Sequence, residues 1–127
     1  MFEFTSYNPF STAAIVLALL VSASACSAHY QIHPNALNAT DSAAYDALLI
    51  AQTTIDQARL DYQAGQLPPE AKKALDVLIR SYNVAREAWL TYRNAVTTNV
   101  PQEAYLEQLS KNLSDLTDAI RKFTEAK

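Results

Sequence analysis

Residues 58–75 read ARLDYQAGQLPPEAKKAL. An amphipathic helical pattern runs into this stretch and another runs out of it. Its middle forbids continuity. Gly65, the only glycine in the chain, supplies the left-handed residue that closes a helix at its C′ position. Pro68 and Pro69 cannot continue a helix, but their fixed φ suits the first turn of a new one. Glu70 then falls beside the positive end of the second helix's dipole. The stretch therefore predicts two consecutive helices joined by a tight break.

Working outward, the first helix is predicted from Asp41 to Ala64, with Thr40, Asp41 and Ser42 all good N-cap types. The second is predicted to run to about Thr98, where Asn99 can take the left-handed stop and Pro101 pushes Val100 into an extended conformation. Pro101 and Glu103 open a third helix that reaches almost to Lys127. At 1.5 Å per residue these span roughly 36, 45 and 37 Å.

Each helix carries apolar residues at spacings of three and four. The first stripe is Ala44, Leu48, Ala51, Ile55, Ala58 and Tyr62. The second is Ala71, Leu75, Leu78, Tyr82, Ala85, Trp89, Tyr92 and Val96. The third is Leu106, Leu109, Leu113, Leu116, Ile120 and Phe123. No polar residue interrupts any stripe as drawn. Alanines alternate with bulky residues in the first, and a small row of Ala74, Ser81, Ala88 and Ala95 flanks the second. Small faces set against a bulky third helix fill a core without voids. Short linkers make consecutive helices antiparallel neighbours. The expected fold is all-α: an up-down-up three-helix bundle with heptad, coiled-coil-like packing over residues 41–127. Helical ion pairs of Asp76 with Arg80, Glu107 with Lys111 and Asp118 with Lys122 would add only ~0.2–0.5 kcal/mol each.

Composition narrows the function. The chain has 127 residues, 50% of them hydrophobic, with 10 Lys and Arg and a net charge of −3. That suits one globular domain and lacks the basic excess of a nucleic-acid binder. A single cysteine excludes an internal disulfide and any cysteine-cluster metal site.

Residues 1–25 have the shape of an export signal: the apolar run AAIVLALLV at 13–21, then the small-residue site Ala23-Ser24-Ala25. The run is about half the ~20 residues of a spanning helix. An uncleaved membrane anchor is the alternative. The n-region holds no Lys or Arg, and Glu3 is acidic.

The only cysteine, Cys26, directly follows that site. Ala23-Ser24-Ala25-Cys26 resembles the lipobox of small bacterial lipoprotein precursors, with Ala23 where leucine is usual. The resemblance covers the leader alone. It implies a diacylglyceryl group on the Cys26 sulfur, cleavage before Cys26 and attachment to a membrane. Ser27, where that family uses Asp for inner-membrane retention, implies an outer-membrane destination facing the periplasm. Residues 26–40, with a proline, no charged side chain and no periodicity, read as a lipidated N-terminus and flexible tether able to reach roughly 45 Å.

Cys26, His29 and His33 have C-x2-H-x3-H spacing, but an acylated sulfur is not a thiolate ligand, so no metal is expected. The carboxylates lie on outward positions, and both histidines precede the helices. No catalytic residue, enzyme or cofactor is therefore expected. Leu49, Ile50 and Leu60 lie off the first stripe, and Val77, Val84 and Leu90 off the second. These six form the candidate surface for self-association or an envelope protein partner.

The functional expectation is a non-enzymatic, membrane-anchored structural or interaction module of the bacterial envelope. A second reading is a secreted or periplasmic bundle that binds a small ligand among Tyr62, Tyr82, Trp89 and Tyr92, which otherwise serve as core. A third follows from the terminal Lys127. Together with a lipidated N-terminus and a heptad body, it resembles in outline the Braun-type murein lipoproteins, which implies a peptidoglycan link through that lysine.

Overall fold

A computed structural model describes residues 31–127; the predicted leader, Cys26 and His29 lie outside the described residues. The folded unit runs from Ile32 to Lys127. It is an all-α bundle of α1 (Ala39–Gln63), α2 (Pro69–Thr97) and α3 (Glu103–Ala126). Each is longer than the 12–15 residues at which isolated helices become marginal, yet tertiary packing supplies most of their stability. None of these helices is long and apolar enough to cross a membrane.

The two breaks form as the sequence dictates. Gly65 has φ 72°. Its N–H bonds to the Tyr62 carbonyl at 3.0 Å, and the Gln66 N–H bonds to the Asp61 carbonyl at 2.8 Å. This paired closure is the Schellman motif. Asn99 repeats it with φ 57°, its N–H bonding to Val96 and that of Val100 to Ala95. Pro69 then opens α2 at its first position.

Cross-helix partners fix the topology. Asn38 meets Tyr92, Gln52 meets Tyr82, and Lys72 lies over the Tyr62 ring, so numbers rise on α1 as they fall on α2. Lys127 reaches Asp61, which places the C-terminal ends of α3 and α1 together. The order is up-down-up. The α2–α3 contact is the most extensive of the three. The main core joins Leu48, Ile55, Leu78, Leu116 and Phe123 with alanines 51, 58, 71, 85 and 119. A smaller cluster of Ala44, Tyr92 and Leu109 sits toward the N-terminal end of α1.

The structure departs from the predicted stripes in four places. Tyr62, in the last turn of α1, is 53% exposed with Lys72 over its ring; Leu106 is exposed in the first turns of α3. Ala119, outside the predicted third stripe, is buried. Asn112 is 6% exposed, a polar residue inside that stripe, with its amide oxygen accepting from Gln108 Nε2 at 3.1 Å. Asp118 pairs with Lys122 and, more closely, with Arg121. Lys111 pairs with Asp115 instead of Glu107.

α1 also begins earlier than predicted. Asn38 is its N-cap, with the side-chain oxygen accepting the Asp41 N–H at 2.8 Å. The predicted tether is correspondingly shorter. Residues 33–36 form a turn closed by the Ala36 N–H on the His33 carbonyl at 3.0 Å, with Pro34 and Asn35 at its centre. The His33 N–H bonds to Ser42 Oγ at 3.0 Å, so this segment folds back on α1.

Candidate functional site

The fold-back creates the most developed polar assembly among the described residues. Asp41 stands three residues after the Asn38 cap, so its carboxylate points back past the helix N-terminus. Oδ2 accepts the Leu37 N–H at 2.8 Å. Oδ1 accepts the Trp89 indole N–H at 2.6 Å, and Arg93 Nε lies 3.5 Å from the same oxygen. The Asp41 residue is 2% exposed. The Asn38 amide donates to Tyr92 Oη at 3.1 Å. A charge buried this deeply is tolerable only because donors and an opposite charge surround it.

This corrects the expectation that every carboxylate points outward. The i to i+3 spacing of Asn38 and Asp41 is the sequence signal for this arrangement, and it is masked because Asp41 is itself a good N-cap type.

A second correction concerns histidine. His33 Nε2 donates to Asp46 Oδ1 at 2.5 Å, so a histidine does pair with a helical carboxylate. Its ring packs edge-on against Tyr45 with centroids 5.0 Å apart, and Tyr45 in turn lies 6.2 Å from Trp89. Among the described residues no group of three His, Cys, Asp or Glu side chains has metal-binding geometry.

Between the turn and the helices lies a cleft of about 220 Å³, lined chiefly by His33, Asn35, Asp41, Tyr45, Trp89 and Arg93. Arg93 stacks over the Trp89 ring at 5.2 Å and reaches the Asn35 carbonyl at 3.5 Å. Asp41 is fully engaged with donors and serves as a structural anion. The cleft offers aromatic walls and one guanidinium edge.

The four aromatics of the ligand reading do not converge on that cleft. Only Trp89 lines it. Tyr92 is buried, Tyr82 is half-buried and bonds Gln52, and Tyr62 is at the far end of the bundle under Lys72.

The six residues of the candidate partner surface are all exposed. They do not form one patch. Leu49 borders a groove between α1 and α2 with Gln52, Tyr82 and Arg86, whereas Val77 and Val84 border the α2–α3 groove with Arg80 and Asn112. On a helix of 3.6 residues per turn, Leu60 shares the Leu49 face, and Leu90 points away from Val77 and Val84. Lys127 has its ammonium 3.8 Å from Asp61 Oδ2 and 5.5 Å from the centre of the Phe123 ring. Cys26 lies outside the described residues.

Comparison with protein-family models, with curated proteins and with solved structures finds no match to this chain.

Proposed function

We propose that the chain is a non-enzymatic lipoprotein of a bacterial envelope, held by acyl chains on Cys26, whose helical bundle is a protein-interaction module. The observation that carries the interaction reading is the row of exposed apolar side chains on α1, Leu49 and Leu60 on one face with Ile50 beside it. All three stay largely exposed in the folded bundle, and such a row gains by being covered. The sequence of the leader supports the anchor.

The test has two arms. Metabolic labelling with a palmitate analogue should mark the wild-type protein and not Cys26→Ala; equal labelling of the two overturns the anchor. Photocrosslinkers at Leu49 and Leu60 should capture a discrete product in intact cells. Capture identical to that from the exposed polar positions Lys73 and Glu87 overturns the interaction surface.

The cleft favours a second reading, a small planar anion held between the aromatic walls and the Arg93 guanidinium. Trp89 fluorescence titrated with benzoate and indole-3-acetate tests it. Saturable change that Arg93→Gln abolishes supports the reading, and its absence removes it.

A further inference from the structure

Asn112 carries a donor that the bundle does not use. Only 6% of the residue is exposed. Its amide oxygen is taken by Gln108 Nε2, whereas its amide nitrogen has no hydrogen bond among the described residues. No fully enclosed side-chain nitrogen or oxygen among them lacks a partner, so this nitrogen faces an opening. That opening is the α2–α3 groove of about 270 Å³, which Asn112 lines with Val77, Arg80, Ser81, Val84 and Asp115. Half-buried Ser81 adds a hydroxyl, and Arg80 adds a guanidinium. Arg80 does not make the predicted pair with Asp76, and no carboxylate among the described residues lies within ion-pair distance of it. The one acid of the groove, Asp115, is engaged by Lys111 of its own helix at 3.4 Å. Val77 and Val84, both exposed, stand on either side of Arg80 and Ser81. The two valines are roughly 10 Å apart along α2.

We infer that the α2–α3 groove binds a small branched aliphatic carboxylate, its head on Asn112, Ser81 and Arg80 and its alkyl arms on Val77 and Val84. The groove offers donors, and its one carboxylate is already paired, so the ligand must accept hydrogen bonds. A guanidinium beside neutral donors favours an ionised acceptor, and its planar fork matches a carboxylate. The half-buried setting strengthens such bonds. The polar groups lie between the two valines along α2, which puts the head in the middle and apolar surface on both sides of it. A branched chain satisfies that layout and a linear one does not. A polar residue that breaks an apolar stripe while keeping a spare donor marks a position where a ligand supplies the missing partner. The site shares no residue with the cleft lined by Trp89 and Arg93.

Proton–nitrogen correlation spectra of the full chain test the site, titrated with 2-ethylbutanoate and, separately, with the neutral 2-ethylbutanamide. The carboxylate should shift the Asn112 side-chain amide and the Val77 and Val84 backbone signals saturably, and leave the Trp89 indole signal in place. Arg80→Gln and Asn112→Leu, read at the two valines, should each weaken binding roughly tenfold, the loss of one charge-assisted hydrogen bond. Asn112→Leu should do so with its melting temperature kept or raised, which separates loss of the site from loss of the fold. Arg80→Gln alters an exposed residue and leaves the fold intact. No saturable shift, equal affinity for the amide, or unchanged affinity in either variant overturns the site. A shift of the Trp89 indole in place of the Asn112 amide also overturns it, and assigns the carboxylate to the other cleft.

Discussion

The indole N–H of Trp89 on α2 donates to the Asp41 carboxylate on α1 at 2.6 Å, joining the two helices at the point where the N-terminal segment folds over them. Asp41 holds Leu37 by its other oxygen, so one side chain ties the segment, α1 and α2. Asp41→Ala strands the Leu37 and Trp89 donors in a part-buried site. A loss of roughly 2–3 kcal/mol is expected, which is roughly 10–20 °C in melting temperature for a domain of this size. Paired with Trp89→Phe in a double-mutant cycle, it should show coupling of about 1 kcal/mol or more. Additive effects would mean that the bond contributes nothing.

Asn112 is a polar residue in an otherwise apolar stripe. Its single partner, Gln108, is exposed and regains water if the bond is lost. Asn112→Leu would pack toward Val77 and Val84, which border the same groove. Replacing a buried polar group by an apolar one of similar volume is neutral to stabilising, so a gain of about 1 kcal/mol is expected in urea unfolding. Polar stripe positions also specify register and assembly state at the expense of stability. The same variant should therefore be checked for new association by sedimentation. A destabilised monomer would show that the Asn112 amide is needed where it is.

The parts of the fold legible in the sequence were those with local causes. Gly65, Asn99 and the prolines place both breaks because backbone conformation at those positions depends on the residue itself. The alternating alanines of α1 mark its inward face, and Ala44, Ala51 and Ala58 are all fully buried. The polar cluster was hidden because it depends on residues distant in sequence. Nothing near Asp41 announces that Trp89 and Arg93 arrive from the end of α2, and an uncharged segment with one proline reads the same whether it is loose or folded back. Leu106 and Tyr62 keep the stripe's spacing yet stay exposed, because periodicity does not say how deeply the terminal turns of a helix are covered.

Gly65 at φ 72° has nothing within 4 Å of the position a Cβ would take. Gly65→Ala thus isolates the backbone cost of a left-handed residue, about 1 kcal/mol. Gly65→Asn should lose less, since asparagine tolerates that region. Both are read from chemical denaturation midpoints. Equal losses for the two would locate the effect in side-chain contact.

Arg121 bonds Asp118 at 3.0 Å and Glu125 at 3.0 Å on the exposed face of α3. The hydrogen bond and charge of Arg121 hold the Asp118 carboxyl below its ordinary range, and the arginine is raised in turn. A carboxyl depressed in the folded state binds its proton at higher pH when the chain unfolds. Its contribution is therefore present above the unfolded range and is lost as pH falls through the lower folded value. The group is fully exposed, so the contribution is small and screened by salt. Wild type should be slightly more stable than Asp118→Asn at about pH 6, the gap closing by about pH 2 as the carboxylate is neutralised. It should also shrink at about 1 M salt. A gap that persists in acid would mean that the variant acts through helix propensity and not through the ion pair.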